Sequence, residues 1–301
     1  MSTWFSPYEL ESANALNSRT ELRKYHGALI RVGSGFGCLH PWQELGDPSL
    51  EDCLEDLAGE RKLRLVRRAL DCAELDGKAR EDGRSLFEGL VIPGSHFLMP
   101  EITGAGLEDA IERGFEVVKV KAGREVAREM ESVRDLVQRF PELKWRIDFN
   151  ETGNCDELGE ILSGWGGEEL ERLDFFEDPS LFDAEEWKKL PVAVANDRAM
   201  SEDDGRSEVL VVKPAVEEIP ENSTQRIVVT SYLDHPLGQC FAAYEAGKGE
   251  ILEICGLQSH GVFASNRFSE ALGEVGPQFR VPEGNGLGFK DLLEGLNWEK
   301  C

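Results

Sequence analysis

From about residue 95 to residue 255 the chain alternates short apolar runs with amphipathic stretches, and this alternation constrains the fold more than any other feature. SHFLM, FEVVKVKAG, LKWRIDFN, LDFFEDP, VAVAND, VLVVKPA, RIVVTS and GEILEICG read as eight strands. LEDAIERG, REVAREMESVRDLVQRF, the stretch from Asp156 to Leu173, DAEEWKKL and HPLGQCFAAYEAG read as helices between them. Strands alternating with helices build parallel sheets, and eight of them close a barrel. The text after Asp197 (SEDDGR) and after Pro214 (EEIPENS) is short, charged and bears glycine or proline, so helices are expected to be missing or truncated there. The expected fold is α/β: a modified (β/α)8-type, TIM-like barrel with truncated helices over 93–265, plus a small α+β N-terminal capping domain over 1–92. The tail from about 266 to 301, with LGFKDLLEGL, is expected to contribute an outer helix or part of the small domain.

The first 90 residues read differently. GALIRV is a strand candidate, and GSGFG after it is a tight hairpin rather than a phosphate loop, because no GK[ST] follows. SLEDCLEDLA and RKLRLVRRALDCAELDGKAR are helical, with Ser49 or Asp47 placed to cap the first.

Charge and cysteine usage bound the function. A formal net charge of -25 repels phosphate backbones, so nucleic acid is an unexpected partner, and an anionic substrate needs locally concentrated positive charge. No apolar run is long enough to span a bilayer, and MSTWFSPYELESANAL lacks the basic start and apolar stretch of a signal peptide. The seven cysteines are scattered without a CxxC pair, which indicates neither zinc nor a redox dithiol and suits a reducing cytoplasm.

Five of the strands end in a charged residue just before the chain turns: Lys121, Asp148, Glu177, Asp197 and Lys213. In a parallel barrel these ends converge on one mouth, where active sites sit. Alternation adds Lys119 to the face of Lys121, and puts Arg146, Asp148 and Asn150 on one face. Singly, such residues are usually caps, solvated turn acids or an exposed KxK edge; together, in consecutive strands at one end, they make a site. Three carboxylates without histidine suit Mg²⁺ or Mn²⁺ rather than zinc. Two lysines side by side are expected to depress each other's pKa, bringing one into the range of a usable base. A hard cation facing tuned lysines is the equipment for removing a proton next to a carboxylate.

On VVKVKAG, WRIDFNET, FFEDP, VAVAND, VLVVKPA and VVTSYLDHPLG, and more weakly on GALIRVGSGFGCLHPW, the chain resembles the muconate-lactonizing subgroup of the enolase superfamily, and within it the o-succinylbenzoate synthases of menaquinone biosynthesis. The resemblance implies a lyase that dehydrates 2-succinyl-6-hydroxy-2,4-cyclohexadiene-1-carboxylate to o-succinylbenzoate through an enediolate. It implies metal ligation by Asp148, Glu177 and Asp197 with Asn150 in support, Lys121 as acid/base beside Lys119, and Lys213 stabilising the enediolate from the opposite face. It places Ser231 near the succinyl part of the substrate, and Gly238 beside it.

Two positions depart from the pattern. Asp197 is followed by Arg198 and Ala199 where Asp-Glu-Ser is usual, so a cation replaces an acid that could tune the lysines or the metal; Cys38 stands where the cap hairpin commonly has an acid. Asp234–His235 could form a base dyad, but their place before Pro236 favours a helix start. Competing readings are an N-acylamino-acid racemase, a dipeptide epimerase, and a non-catalytic barrel. EILEICGLQSH lacks the Asp-x-Asp of dipeptide epimerases, and a non-catalytic barrel would not need Lys121 and Lys213 together with all three carboxylates.

Overall fold

The structure, a computed structural model of the chain, describes residues 2–14, 16, 22–198, 203 and 205–301. Ala199 and half of SEDDGR (Ser201, Glu202 and Asp204) therefore lie outside the described residues. Two sheets organise the molecule. Strands β1 (Thr3–Glu11), β2 (Lys24–Val32) and β3 (Gly35–Leu39) form an antiparallel meander. Strands β4 (Phe97–Met99), β5 (Val117–Lys121), β6 (Lys144–Asp148), β7 (Leu173–Glu177), β8 (Val194–Asn196), β9 (Val209–Val212) and β10 (Arg226–Val229) form a parallel sheet in chain order. A last strand, β11 (Glu299–Lys300), returns to pair antiparallel with β1.

In the first sheet β1 escaped the sequence reading. Pro7 and three exposed glutamates or aromatic neighbours interrupt its pattern, yet nine consecutive residue pairs with β2 hold it. Helices α1 (Leu50–Ala58) and α2 (Arg64–Glu81) follow. Ser49 caps α1 through a reciprocal bond pair with Asp52, as its sequence position predicts. The glycines of GSGFG serve packing as much as turning. A Cβ on Gly35 would lie 1.8 Å from the Ala73 carbonyl oxygen, and one on Gly37 2.2 Å from that of Ala69. The bare strand thus lets α2 lie directly on the sheet.

The parallel sheet is a barrel whose closure differs from expectation. GEILEICG is not a full strand. Only Cys255 and Gly256 bridge, to Ser95 on one side and Thr230 on the other. Leu252, just before, is 97% exposed, and only Ile251 and Cys255 of the run pack into the core. The expected helix from Asp156 to Leu173 is also broken, into α5 (Cys155–Ser163) and α6 (Gly167–Glu171), with Gly164 and Gly166 between them. The remaining connections carry α3 (Leu107–Glu112), α4 (Val126–Arg139), α7 (Ala184–Trp187) and α8 (Pro236–Lys248), and the tail carries α9 (Arg267–Leu272) and α10 (Lys290–Glu294). Residues 213–225 hold no helix, as their composition predicts, and neither do the described residues between β8 and β9. No described helix is long and apolar enough to cross a membrane.

Alternation in the strands sets the layers. Val118, Val120, Trp145, Ile147 and Phe176 face outward into one core with Met130, Val133 and Leu136 of α4 and Leu158 and Leu162 of α5. Phe175, Ala195, Val209, Val211 and Val228 fill the barrel floor. The intervening positions of β5 to β7 are left to point charged side chains up the axis.

Candidate active site

The pairing register aligns the strand ends. Lys121 sits opposite Asp148, Asp148 opposite Glu177, and Glu177 opposite Ala195, two residues before Asp197. The barrel therefore gathers Lys119, Lys121, Asp148, Glu177, Asp197 and Lys213 at one mouth. Lys119 Nζ donates to Glu177 Oε1 at 2.6 Å and lies 3.1 Å from Asp148 Oδ2. Lys121 Nζ donates to the same Asp148 oxygen at 2.8 Å. Lys213 Nζ is bonded to Asp197 Oδ2. Asn150 donates from its backbone N–H and its Nδ2 to Asp148 Oδ1, at 3.1 and 2.9 Å, which fixes that carboxylate's orientation.

The turns that follow the ligand strands are strained. Asn150, Glu151 and Asp178 have positive φ of 50°, 63° and 42°. Asp178, absent from the sequence reading, is buried at the end of β7 and accepts from the Asp197 backbone N–H at 3.0 Å. It was hidden because Glu177, Asp178 and Pro179 read as a strand end and turn.

The mouth is roofed from the first sheet. Trp42 and Leu45 line it together with His96, Leu98, Tyr232 and Gln258. Tyr232 OH donates to Asp47 Oδ2 at 2.7 Å, the Trp42 N–H donates to the same oxygen at 2.8 Å, and Trp42 Nε1 donates back to the Tyr232 carbonyl at 2.7 Å. Ser231 lines the mouth, with its Oγ donating to Ser259 Oγ at 2.9 Å. Gly238 does not line it. It lies in the first turn of α8 against Asp234, whose Oδ2 would be 2.0 Å from an added Cβ. His235 is the N-cap of α8 and accepts from the Leu237 N–H, as its position before Pro236 suggests.

Residues 3–79 match the family described as O-succinylbenzoate synthase, N-terminal domain. Along 98% of its length the chain is 27% identical to the o-succinylbenzoate synthase of Bdellovibrio bacteriovorus, of which it covers 97%. The chain is thus similar to o-succinylbenzoate synthases. Its fold is that of the enolase superfamily. It is similar to the N-succinyl Arg/Lys racemase of Bacillus cereus at TM-score 0.79 and 15% identity, over 100% of this chain and 99% of that one. It is similar to the L-Ala-D/L-Glu epimerase of Bacillus subtilis at TM-score 0.78 and 15% identity, over 96% and 98%.

Two expectations change in the structure. Neither Lys119 nor Lys213 is depressed on balance, although the Lys119 charge does act to lower Lys213. Burial pulls the Lys119 ammonium down, but Asp148, Glu177 and Asp197 together outweigh it and hold it above the usual lysine range; Lys213 is likewise raised, chiefly by Asp197 against burial. Asp148 is held below the usual carboxylate range, because Lys119, Lys121 and Lys213 overcome its burial. Glu177 is pushed up to about 7 by burial and by the Asp148 charge. Opposite charge at hydrogen-bond distance thus dominates the lysine–lysine repulsion. Arg198, in turn, lines a cleft with Lys213 but makes its hydrogen bonds elsewhere. Its Nε donates to Glu151 Oε2 at 3.0 Å and its Nη2 to the Leu45 carbonyl at 2.6 Å, so its charge ties the barrel to the roof.

Among the described residues no group of three or more His, Cys, Asp or Glu closes on a common point that would hold a metal. Lys119 stands between Asp148 and Glu177 instead, with Lys121 bonded to Asp148 and Lys213 to Asp197. The donor chemistry nonetheless fits a hard cation: all three acids are buried or nearly so at adjoining strand ends, and the buried Oδ1 of Asp197 has no partner.

Proposed function

We propose that this enzyme dehydrates 2-succinyl-6-hydroxy-2,4-cyclohexadiene-1-carboxylate to o-succinylbenzoate. The observation that supports it most is the meeting of Lys121, from β5, and Lys213, beyond β9, around three strand-end carboxylates in a chain similar over its length to an o-succinylbenzoate synthase. A divalent hard cation, Mg²⁺ or Mn²⁺, held by Asp148, Glu177 and Asp197, would supply positive charge to the substrate carboxylate and to the enediolate. Asn150 keeps Asp148 turned to that task. Lys121 Nζ removes the proton next to the carboxylate and returns it to the departing hydroxyl, so one proton and one hydroxide leave as water and the ring becomes aromatic. Lys119, held charged by its carboxylate neighbours, and Lys213 stay protonated and stabilise the negative charge that develops. The substrate is a small dicarboxylate, and these three lysines are the local positive charge that so acidic a chain otherwise denies it. All seven cysteines are free, which fits a cytoplasmic setting.

The test is a direct assay with the cyclohexadiene, before and after EDTA. Turnover is expected, lost on chelation and restored by Mg²⁺. Full turnover after chelation would remove the cation from this scheme. Racemisation of N-succinyl amino acids with the cyclohexadiene left untouched would replace the reaction by that of the racemase-type structural relatives.

A further inference from the structure

The first barrel strand presents a polar side chain that the scheme above does not use. His96 lies one residue before β4, shares a face with Leu98, and lines the mouth with it. The ring is 5% exposed. Its Nδ1 is 3.3 Å from Nη1 of Arg146. A guanidinium has donors only, so Nδ1 must accept and the ring proton resides on Nε2. Arg146 is held in place to enforce this. Its Nε donates to Asp174 Oδ2 at 2.7 Å, its Nη1 to the Ile254 carbonyl at 2.7 Å, and its guanidinium lies 4.7 Å over the Phe175 ring. Burial, together with the charges of Arg146 and Lys119, keeps the imidazole neutral by pulling its pKa well below the usual value.

The Nε2 edge lies at the barrel's closing bridge. A Cβ on Gly256 would be 2.8 Å from His96 Nε2 and 2.6 Å from Cε1, so glycine is what leaves the ring edge its room. Among the described residues nothing accepts from Nε2 in a hydrogen bond, although the ring is buried. Next to Gly256 in the mouth stand Ser231 and Ser259, whose hydroxyls bond one another. This wall is built on β4 and the closing segment, whereas the carboxylates that would take the cation stand on β6, β7 and just past β8. It therefore offers neutral donors on strands other than those that carry the carboxylates, in the same mouth. Such a wall suits a carbonyl oxygen rather than the carboxylate that needs full positive charge.

We propose that His96 is a specificity-determining residue, its Nε2–H donating to a carbonyl oxygen of an acyl side arm on the substrate, beside the Ser231–Ser259 hydroxyl pair. The inference rests on the dehydration reading, in which that arm is the succinyl group. A site built to hydrogen-bond a substrate oxygen discriminates against ligands that lack it, because its buried donor is then left unpaired.

The experiment compares two ligands of the Mg²⁺-supplemented protein, o-succinylbenzoate and benzoate, which lacks the arm. His96→Leu is expected to weaken o-succinylbenzoate by about tenfold or more and to leave benzoate unchanged. His96→Gln, whose amide can donate, is expected to recover part of the loss. In turnover, His96→Leu should raise KM more than it lowers kcat. An equal loss for both ligands, or none for either, would overturn the assignment. So would a ¹H–¹⁵N spectrum placing the His96 proton on Nδ1. If wild type bound o-succinylbenzoate through His96 but failed to dehydrate the cyclohexadiene, the reaction would be wrong and the arm subsite would stand.

Discussion

Two buried polar clusters lie close together in this molecule and resolve their burial in opposite ways. At the barrel mouth, lysines and carboxylates pair within hydrogen-bond distance, and Lys119, Lys213 and Asp148 are thereby held towards their charged forms. At the junction of the first sheet with the start of α8, Tyr8, His40, Asp234 and His235 are held towards their neutral forms instead. Burial raises Tyr8 well above its usual value, pushes Asp234 up to about 7, and pulls His40 and His235 down to about 3. Tyr8 OH bonds His40 Nδ1 at 3.0 Å, and the Tyr8 and His235 rings are 4.8 Å apart. Buried charge persists only where opposite charge is built in beside it; elsewhere, neutralising the group costs less than desolvating an ion. The charged cluster thus marks the site made to handle charge, and the neutral one a packing junction.

The comparison breaks most sharply at Lys121. Lys121→Arg keeps a cation beside Asp148 but removes a usable proton acceptor, so kcat for the dehydration should fall on the order of 10²–10⁴-fold. Near-normal turnover in that variant would show that Lys121 supplies charge and not proton transfer.

At the junction, Asp234→Asn sharpens the contrast through pH. An aspartate at about 7 in the folded state, against an ordinary value near ~4 unfolded, favours the fold while protonated in both states. That contribution declines as pH rises above the unfolded value and is gone once pH passes about 7. Asparagine stays neutral throughout. Urea unfolding should therefore show the variant gaining on wild type between pH 4 and 7, by up to roughly a few kcal/mol, and levelling off above. A difference that is flat with pH would mean that Asp234 finds compensation at the junction.

Between the two clusters, Arg198 carries charge to the roof rather than to the chemistry. Arg198→Met should raise KM about three- to tenfold with a smaller change in kcat, and should speed hydrogen exchange at Leu45 and Gly46. If kcat collapsed while KM held, Arg198 would instead be acting on the lysines. The smallest effect lies at an exposed cap far from both clusters. Ser49→Ala removes the Ser49 Oγ that accepts from the Asp52 N–H, leaving the Ser49 N–H to Asp52 bond in place, and should cost about 1 kcal/mol of stability with kcat/KM unchanged.

The sequence alone carried the strand–helix alternation, the missing helix over 213–225, the cap at Ser49 and, Asp178 apart, the charged residues at the strand ends, because each is written in local periodicity or composition. It also put Lys119 with Lys121 and Asp148 with Asn150, since strand alternation has a fixed period of two. What it could not decide were properties that depend on distance across the fold. Lysine repulsion looked dominant in KVK because the neighbours in sequence are lysines; the carboxylates that reverse it arrive from β6, β7 and the end of β8. Arg198 looked like a perturbation of the metal site, and only the roof's Leu45 carbonyl and Glu151 show where its charge goes. His96 was legible as a face-mate of Leu98 but silent in chemistry, because its tautomer is set by Arg146, fifty residues on. Pairing energies fall with separation in space, not in sequence, so only the closed barrel determined which of these charges meet.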